Sequence, residues 1–325
     1  TDEHFAAQDG KFEVKFGKDK FDIRVSIVPV TEGENIVMRI LSERARRFTL
    51  EGLGFSTKDL EKINESIKKP YGMILATGPT GCGKTTTLYA ILKILNKPEV
   101  HICAIEDPVE YDMVGVSQIQ VNPKTNLTFS KGLRSIVRQD PDIMMIGEIR
   151  DSETSEIAVN ASMTGHLVLS TMHANTAAIN VIRLMEMGIE PFLVASSINV
   201  IIAQRLIRKI CIKCRESYEI EITSLKDKLP YRLLKKLGRG QEKARLYRGT
   251  GCKTCNQVGY SGRTGIFEVL TMKENIKQMI LQKSDADQIQ DQAIKNGMTS
   301  MIEDGLDKAL AGITTIEEVM RVTHE

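Results

Sequence analysis

The chain has 325 residues, a formal net charge of +2 and 42% hydrophobic residues, more than one core usually supports, so two or three domains are expected. Near-balanced charge excludes a protein whose main work is coating nucleic acid or an anionic membrane, and no segment approaches the roughly eighteen apolar residues of a membrane span. The polar start Thr1-Asp2-Glu3-His4 does not read as a signal peptide, and 6 cysteines are too few for a disulfide scaffold, so a soluble, cytosolic protein in a reducing compartment is expected.

In chain order, residues 1–41 read as strands. Phe12-Val14-Phe16 and Phe21-Ile23-Val25-Ile27 alternate with polar residues, and Ile36-Met38-Ile40 follows the same rule. So short a stretch buries too little surface to stand alone and reads as part of a larger N-terminal domain. Residues 42–50 read as a solvated linker, basic through Arg44, Arg46 and Arg47.

From 51 to 208 helical and strand patterns alternate, the signature of an α/β domain with a mostly parallel sheet. A helix from Ser56-Thr57 runs to about Lys69, before Pro70. Strands are expected at Met73–Thr77, His101–Glu106, Ser117–Val121, Ile143–Ile146 and Leu167–Met172. Helices are expected at Thr85–Leu95, Ser130–Arg138, Ser152–Met163, Thr176–Met187 and Pro191 to about Arg208. The last of these is apolar but interrupted by Ser196, Ser197, Asn199 and Gln204, which suits burial in protein rather than in lipid.

Between the first strand and its helix stands Gly78-Pro79-Thr80-Gly81-Cys82-Gly83-Lys84-Thr85, followed by Thr86. This fits the P-loop pattern, in which backbone N–H groups and a helix N-terminus converge on phosphate oxygens. Glycine permits the close backbone approach. Lys84 is the expected counter-charge on the outer phosphates of ATP, and the Thr85 hydroxyl the expected magnesium ligand.

Such a site also needs acids at neighbouring strand ends, to hold the metal shell and to orient water. Ile143–Ile146 leads into Gly147-Glu148, and Ile102–Ile105 leads into Glu106-Asp107-Pro108-Val109-Glu110. His166 and His173 flank Leu167–Met172, and their odd spacing points them to opposite faces of the strand.

Past Lys209 the character changes. Cys211-x-x-Cys214 and Cys252-x-x-Cys255 supply the ligand set of a tetrahedral structural zinc site across residues 209–262. A basic insertion, Tyr218–Arg248, separates the two knuckles. Cys82 and Cys103 read as small buried residues. Residues 263–325 read as a tail of short helices, with Gly297 closing the one that starts near Asp285 and Thr314 with Glu317 forming a capping box for the last.

Four motifs in order carry a family resemblance: Gly78–Thr85; Ala104-Ile105-Glu106-Asp107-Pro108-Val109-Glu110-Tyr111; Gly147-Glu148-Ile149-Arg150-Asp151; and Thr164-Gly165-His166-Leu167 to His173. With Leu133–Asp142, Ala203-Gln204-Arg205-Leu206 and Gly265–Val269 they resemble the motor ATPases of type II secretion and type IV pilus assembly. That resemblance implies a RecA-like P-loop domain behind a partial PAS-like α+β domain. It implies Glu110 as the base orienting water, Glu148 as the Walker B acid acting on the magnesium shell, directly or through water, and His173 as a contact near the outer phosphate. It further implies Arg24 and Arg39 as arginines brought onto the nucleotide from the N-terminal domain, ATP, magnesium and zinc as cofactors, and a homo-hexamer working with an inner-membrane platform protein. The protein would then be cytoplasmic and peripheral at that membrane. Pilus assembly is the leading expectation and type II secretion the alternative; retraction motors fit less well because they usually lack the tetracysteine element. A zinc-containing nucleic-acid translocase is the rival from another class, opposed by the near-zero charge and by basic stretches without aromatic residues.

Overall fold

The computed structural model describes residues 3–17, 19–42, 49–226, 229–238 and 241–324. Arg44, Arg46 and Arg47 of the expected linker lie outside the described residues. The chain divides into two compact units, Thr1–Thr49 and Leu50–Glu325.

The first unit is a three-stranded antiparallel sheet of β1 (Gln8–Phe16), β2 (Asp19–Val30) and β3 (Gly33–Ser42) in sequential order. Its register sets Arg24 directly opposite Arg39.

The second unit is built on one seven-stranded sheet. It contains β4 (Gly72–Thr77), β5 (Ile102–Glu106), β6 (Val116–Gln120), β7 (Ile143–Ile146), β8 (Leu167–Met172), β9 (Ile198–Ile210) and, after the β10 (Arg215–Glu221) and β11 (Lys243–Gly249) ribbon, β12 (Tyr260–Thr271), in the order β12-β9-β4-β8-β7-β5-β6. All neighbours run parallel except β12, which lies antiparallel to β9. Helices α1 (Leu50–Leu53), α2 (Thr57–Ile67), α3 (Lys84–Leu95), α4 (Phe129–Val137), α5 (Ser152–Met163), α6 (Ala177–Glu186) and α7 (Pro191–Ser197) precede β9. Helices α8 (Tyr231–Gly238), α9 (Glu274–Leu281), α10 (Ala286–Lys295), α11 (Met301–Leu310) and α12 (Ile316–His324) follow it.

Strand periodicity divides the core between the two faces of the sheet. Met73 and Leu75 of β4 pack with residues of α4, α5, α6, α7, α9 and α10, whereas Ile74 and Ala76 pack with Ile63 of α2 and Leu88, Ile91 and Leu92 of α3. The four β4 residues are fully buried, which for a side chain the size of Leu or Ile is worth about 1.5–3 kcal/mol. The basic insertion makes a smaller core of its own, where Leu233, Leu234 and Leu237 of α8 meet Leu246 of β11, Leu306 of α11 and Ile316 of α12.

Two expectations fail. The helix expected over Pro191–Arg208 stops at Ser197, and the rest is β9, a central strand buried at all eight positions from Ile198 to Arg205. Ile198, Val200, Ile201 and Ile202 are β-branched, and a strand accommodates that crowding better than a helix. As a result β9 crosses the boundary expected at 208, and β12 crosses the one expected at 262. The final cap also sits one residue later than expected. Thr315 Oγ1 accepts the Glu318 N–H at 3.2 Å, while the Thr314 hydroxyl donates to the Arg208 carbonyl at 2.8 Å. The preceding caps match: Asp285 and Gln288 form a capping box on α10, and Gly297 turns away from it at φ +93.

Candidate active site

β4 delivers the glycine-rich loop to the C-terminal edge of the parallel strands, where open α/β sheets bind ligands. Gly78 sits at φ +146, and a Cβ there would stand 2.3 Å from the Gln204 carbonyl oxygen, so no side chain fits. Gly83 at φ 93 is the N-cap of α3, and the N-terminal amides of that helix open toward the loop. Lys84 is buried, and its Nζ donates to the carbonyls of Gly78 at 2.9 Å and Pro79 at 3.1 Å. Burial lowers the ammonium pKa, opposed by the nearby Glu148 carboxylate. Thr85 and Thr86 are half-buried in the first turn of α3.

Gln204 of β9 clasps the loop from behind. Its Nε2 donates to the Cys82 carbonyl at 2.8 Å, and its Oε1 accepts the Thr87 hydroxyl at 2.7 Å. Thr77 ties the same loop to the end of β8: its Oγ1 donates to the carbonyls of Met172 and Ala174 and accepts the Ala174 N–H at 2.9 Å.

β7 and β8 are parallel neighbours, so Glu148 and His173 emerge at one edge. His173 Nε2 lies 3.2 Å from Glu148 Oε2, and Arg150 Nη2 lies 2.6 Å from Glu148 Oε1. Gly147 packs closely here: a Cβ would stand 3.3 Å from the Glu106 Cα and the Ile105 carbonyl oxygen, tighter than an ordinary contact. A cleft of about 370 Å³ opens between the loop and α6, with Gly78, Pro79, His173, Asn175 and Arg183 among its walls.

The other acidic strand end divides its roles. Glu106 is 2% exposed and turned inward onto Tyr89 and Gln118, whereas Glu110 is half-buried on the loop that follows, between the exposed Asp107 and Asp112. His166 stands at the opposite end of β8 from His173, roughly 20 Å away along six residues of strand. There its Nδ1 lies 2.9 Å from the Ala161 carbonyl at the end of α5, a structural place. Arg24 and Arg39 are brought to each other in the first unit, as facing residues of β2 and β3.

The four cysteines of the two knuckles converge, their sulfurs all within 4.8 Å of one another. The separations Cys211–Cys252 and Cys214–Cys255 are both 3.8 Å and Cys252–Cys255 is 3.6 Å. A tetrahedron with metal–sulfur bonds of about 2.3 Å puts its corners roughly 3.8 Å apart, whereas a disulfide would need about 2.05 Å. The donor set therefore fits zinc. The backbone N–H groups of Cys252 and Gly259 point at Cys255 Sγ at 3.2 and 3.3 Å. Desolvation raises that thiol's pKa, but these donors outweigh it and bring it down to about 6, favouring a thiolate ligand.

Sequence reasoning assigned no role to Gln204, Arg150, Tyr89 or Gln118. Tyr89 follows Thr85 by one helical turn and so shares its side of α3, a signal that was legible. Gln118 carried a weaker one, as a polar residue inside a short strand.

The sequence matches the family described as Type II/IV secretion system protein over residues 2–321. Among curated proteins, the type II secretion system ATPase E of Vibrio cholerae serotype O1 is 48% identical over 318 residues, which is 98% of this chain and 61% of that protein. The type IV pilus assembly ATPase PilB of Myxococcus xanthus is 45% identical over 318 residues, 96% of this chain and 55% of that protein. The chain thus spans about three fifths of the length of such relatives, 61% in the first case. Among solved structures, the pilus retraction motor PilT with bound ADP superposes with a TM-score of 0.70 at 26% identity, covering 98% of this chain and 77% of that one. The ATPase DotB of Yersinia pseudotuberculosis gives a TM-score of 0.70 at 20% identity, covering 98% and 76%, a likeness of fold.

Proposed function

The chain belongs to the type II/IV secretion system protein family, and from that membership we propose that it is the motor portion of an ATPase that hydrolyses ATP to drive assembly of pilin-like subunits. The observation that carries this is the gathering of Lys84, Glu148 and His173 around one glycine-rich loop. In this reading the loop amides from Gly78 to Thr86 and the Lys84 ammonium hold the phosphates, and Glu110 orients the attacking water. Glu148 holds the metal shell, His173 approaches the outer phosphate, and Arg24 and Arg39 neutralise charge developing on the transferred group. Magnesium, held by the Thr85 hydroxyl and by Glu148, would neutralise charge on the phosphate oxygens. Zinc held by Cys211, Cys214, Cys252 and Cys255 would be structural.

The second unit is proposed to be RecA-like, and the first to be part of a PAS-like domain. The working form is proposed to be a homo-hexamer, cytoplasmic and held at the inner membrane by a platform protein. In support, no helix among the described residues is long and apolar enough to cross a membrane. Pilus assembly, the leading reading, is represented by the PilB relative at 45% identity. Type II secretion is favoured as the second reading by relatives at 48% and 46%. ATP turnover by the full-length protein, compared with Lys84→Ala, tests the activity: equal rates in the two would overturn it. The membrane platform protein that co-purifies with the full-length chain decides between the machines.

A further inference from the structure

Resting on the reading of Glu110 as the group that orients water, we propose that Tyr89 and Gln118 are positioning residues that fix the Glu110 loop to the phosphate-binding helix, with buried Glu106 as the hub between them. The loop between β5 and β6, residues 107–115, contains neither helix nor strand. Its own backbone therefore does little to hold a carboxylate in place. Three polar side chains from three different elements do so instead.

Tyr89 projects from α3, the helix whose N-terminus faces the glycine-rich loop. Its hydroxyl donates to Glu106 Oε2 at 2.5 Å and accepts the backbone N–H of Glu110. Gln118, on β6, donates through Nε2 to Glu106 Oε1 at 3.0 Å and to the Tyr111 carbonyl at 3.2 Å. Its Oε1 accepts the Met113 N–H at 2.7 Å. The backbone at 110, 111 and 113 is thus gripped at three points by one network. The Tyr111 ring adds an edge-on contact with the Tyr89 ring, centroids 4.5 Å apart and planes at 80°.

Burial, and then the neighbouring Glu106 carboxylate, push the Tyr89 hydroxyl above its usual range, so it stays protonated and keeps donating. Tyr89 is 1% exposed and Glu106 2%, so water does not replace a lost member cheaply. The same helix carries Lys84 and Thr85 in its first turn. Any displacement of Glu110 relative to the phosphates must therefore break a buried hydrogen bond, and catalytic geometry is sensitive to displacements of that size.

Tyr89→Phe removes one oxygen and keeps the ring packing. In the full-length protein, steady-state ATP hydrolysis should show kcat lowered by about 10- to 100-fold, with the KM for ATP held within about three-fold, because the phosphate cradle is intact. Gln118→Ala should give the same selective loss, and serves if Tyr89→Phe fails to fold. Placed in a Glu110→Gln background, Tyr89→Phe should cost less than about two-fold more, as expected when one residue acts through another. Parental kcat in both Tyr89→Phe and Gln118→Ala would overturn the proposal, as would a full additional loss in the Glu110→Gln background. If Glu110→Gln alone keeps the parental rate, the assignment of Glu110 is what has failed, and the positioning role falls with it.

Discussion

His173 and Glu148 are 25 positions apart in the chain and 3.2 Å apart in space, joined through Nε2 and Oε2 at the ends of two neighbouring parallel strands. The other Glu148 oxygen is held by Arg150 at 2.6 Å. Both lone-pair faces of this carboxylate are therefore directed, and its side chain is 13% exposed against 42% for the histidine. An acid held in that way is preorganised: it does not have to reorient when charge develops nearby.

Neutralising that acid separates charge from shape. Glu148→Gln keeps an oxygen for His173 and loses the negative charge, so ATP turnover should fall by about 10²- to 10³-fold while ATP binding stays within a few-fold. His173→Ala removes the partner instead and should cost less, about ten-fold. Steady-state turnover set beside equilibrium nucleotide binding checks both. Unchanged turnover in Glu148→Gln would remove this residue from the chemistry.

Gln204 is a test of the loop's scaffold rather than of its charges. Replacing it by Ala leaves the Cys82 carbonyl and the Thr87 hydroxyl without their buried partner, and each such orphan costs about 1–3 kcal/mol. Thermal unfolding should move down accordingly. The KM for ATP should rise more than kcat falls, because the damage lies in the phosphate cradle. Gln204→Glu should be worse than its size suggests, since a carboxylate accepts from Thr87 but has no N–H for Cys82.

These contrasts follow how much could be read before folding. Phosphate binding imposes fixed glycine spacings within one turn, so Gly78–Thr85 was legible, and so were Glu148 and the two cysteine pairs, whose chemistry is local. Tyr89 and Glu106 are 17 positions apart, Thr87 and Gln204 are 117 apart, and only the sheet order brings each pair together. β9 was misread because its apolar run is compatible with a buried helix or a buried strand, and periodicity does not separate the two. The last cap was misplaced by one residue because Thr314 and Thr315 each stand three before a glutamate. Packing against Arg208 decided between them.

The cysteine cluster yields a prediction independent of ATP. The protein isolated without chelator should contain close to one zinc per chain by elemental analysis, and Cys255→Ser should abolish it. Removing the metal with a chelator should lower the unfolding temperature, because four thiolates held near 3.8 Å then repel or protonate. The β10–β11 ribbon begins and ends at the knuckles, so hydrogen exchange should rise there first. A full complement of metal in the quadruple serine variant would mean that the ion is bound elsewhere.

Glu318 supplies the pH dependence. It is 2% exposed and accepts from Arg321 through Nε and Nη2 at 3.0 and 2.8 Å, and from Arg208 through Nε and Nη2 at 3.0 and 2.7 Å. Desolvation raises its pKa, but the hydrogen bonds from Arg321 and Arg208 prevail and bring it from 4.5 to about 2. A carboxyl whose folded pKa lies below its unfolded value adds stability that is complete above the unfolded value and is lost as pH falls through the folded one. The contribution of this residue should therefore disappear between about pH 4.5 and pH 2, with a slope of at most about 1.4 kcal/mol per pH unit for one proton. Because Glu318 fastens α12 to the end of β9 through Arg208, the loss should register as release of the final helix. Glu318→Gln should flatten the stability profile in that window and lower stability at neutral pH, as measured by denaturant unfolding across a pH series. A Gln variant with the parental slope would show that the acid sensitivity belongs to other carboxylates.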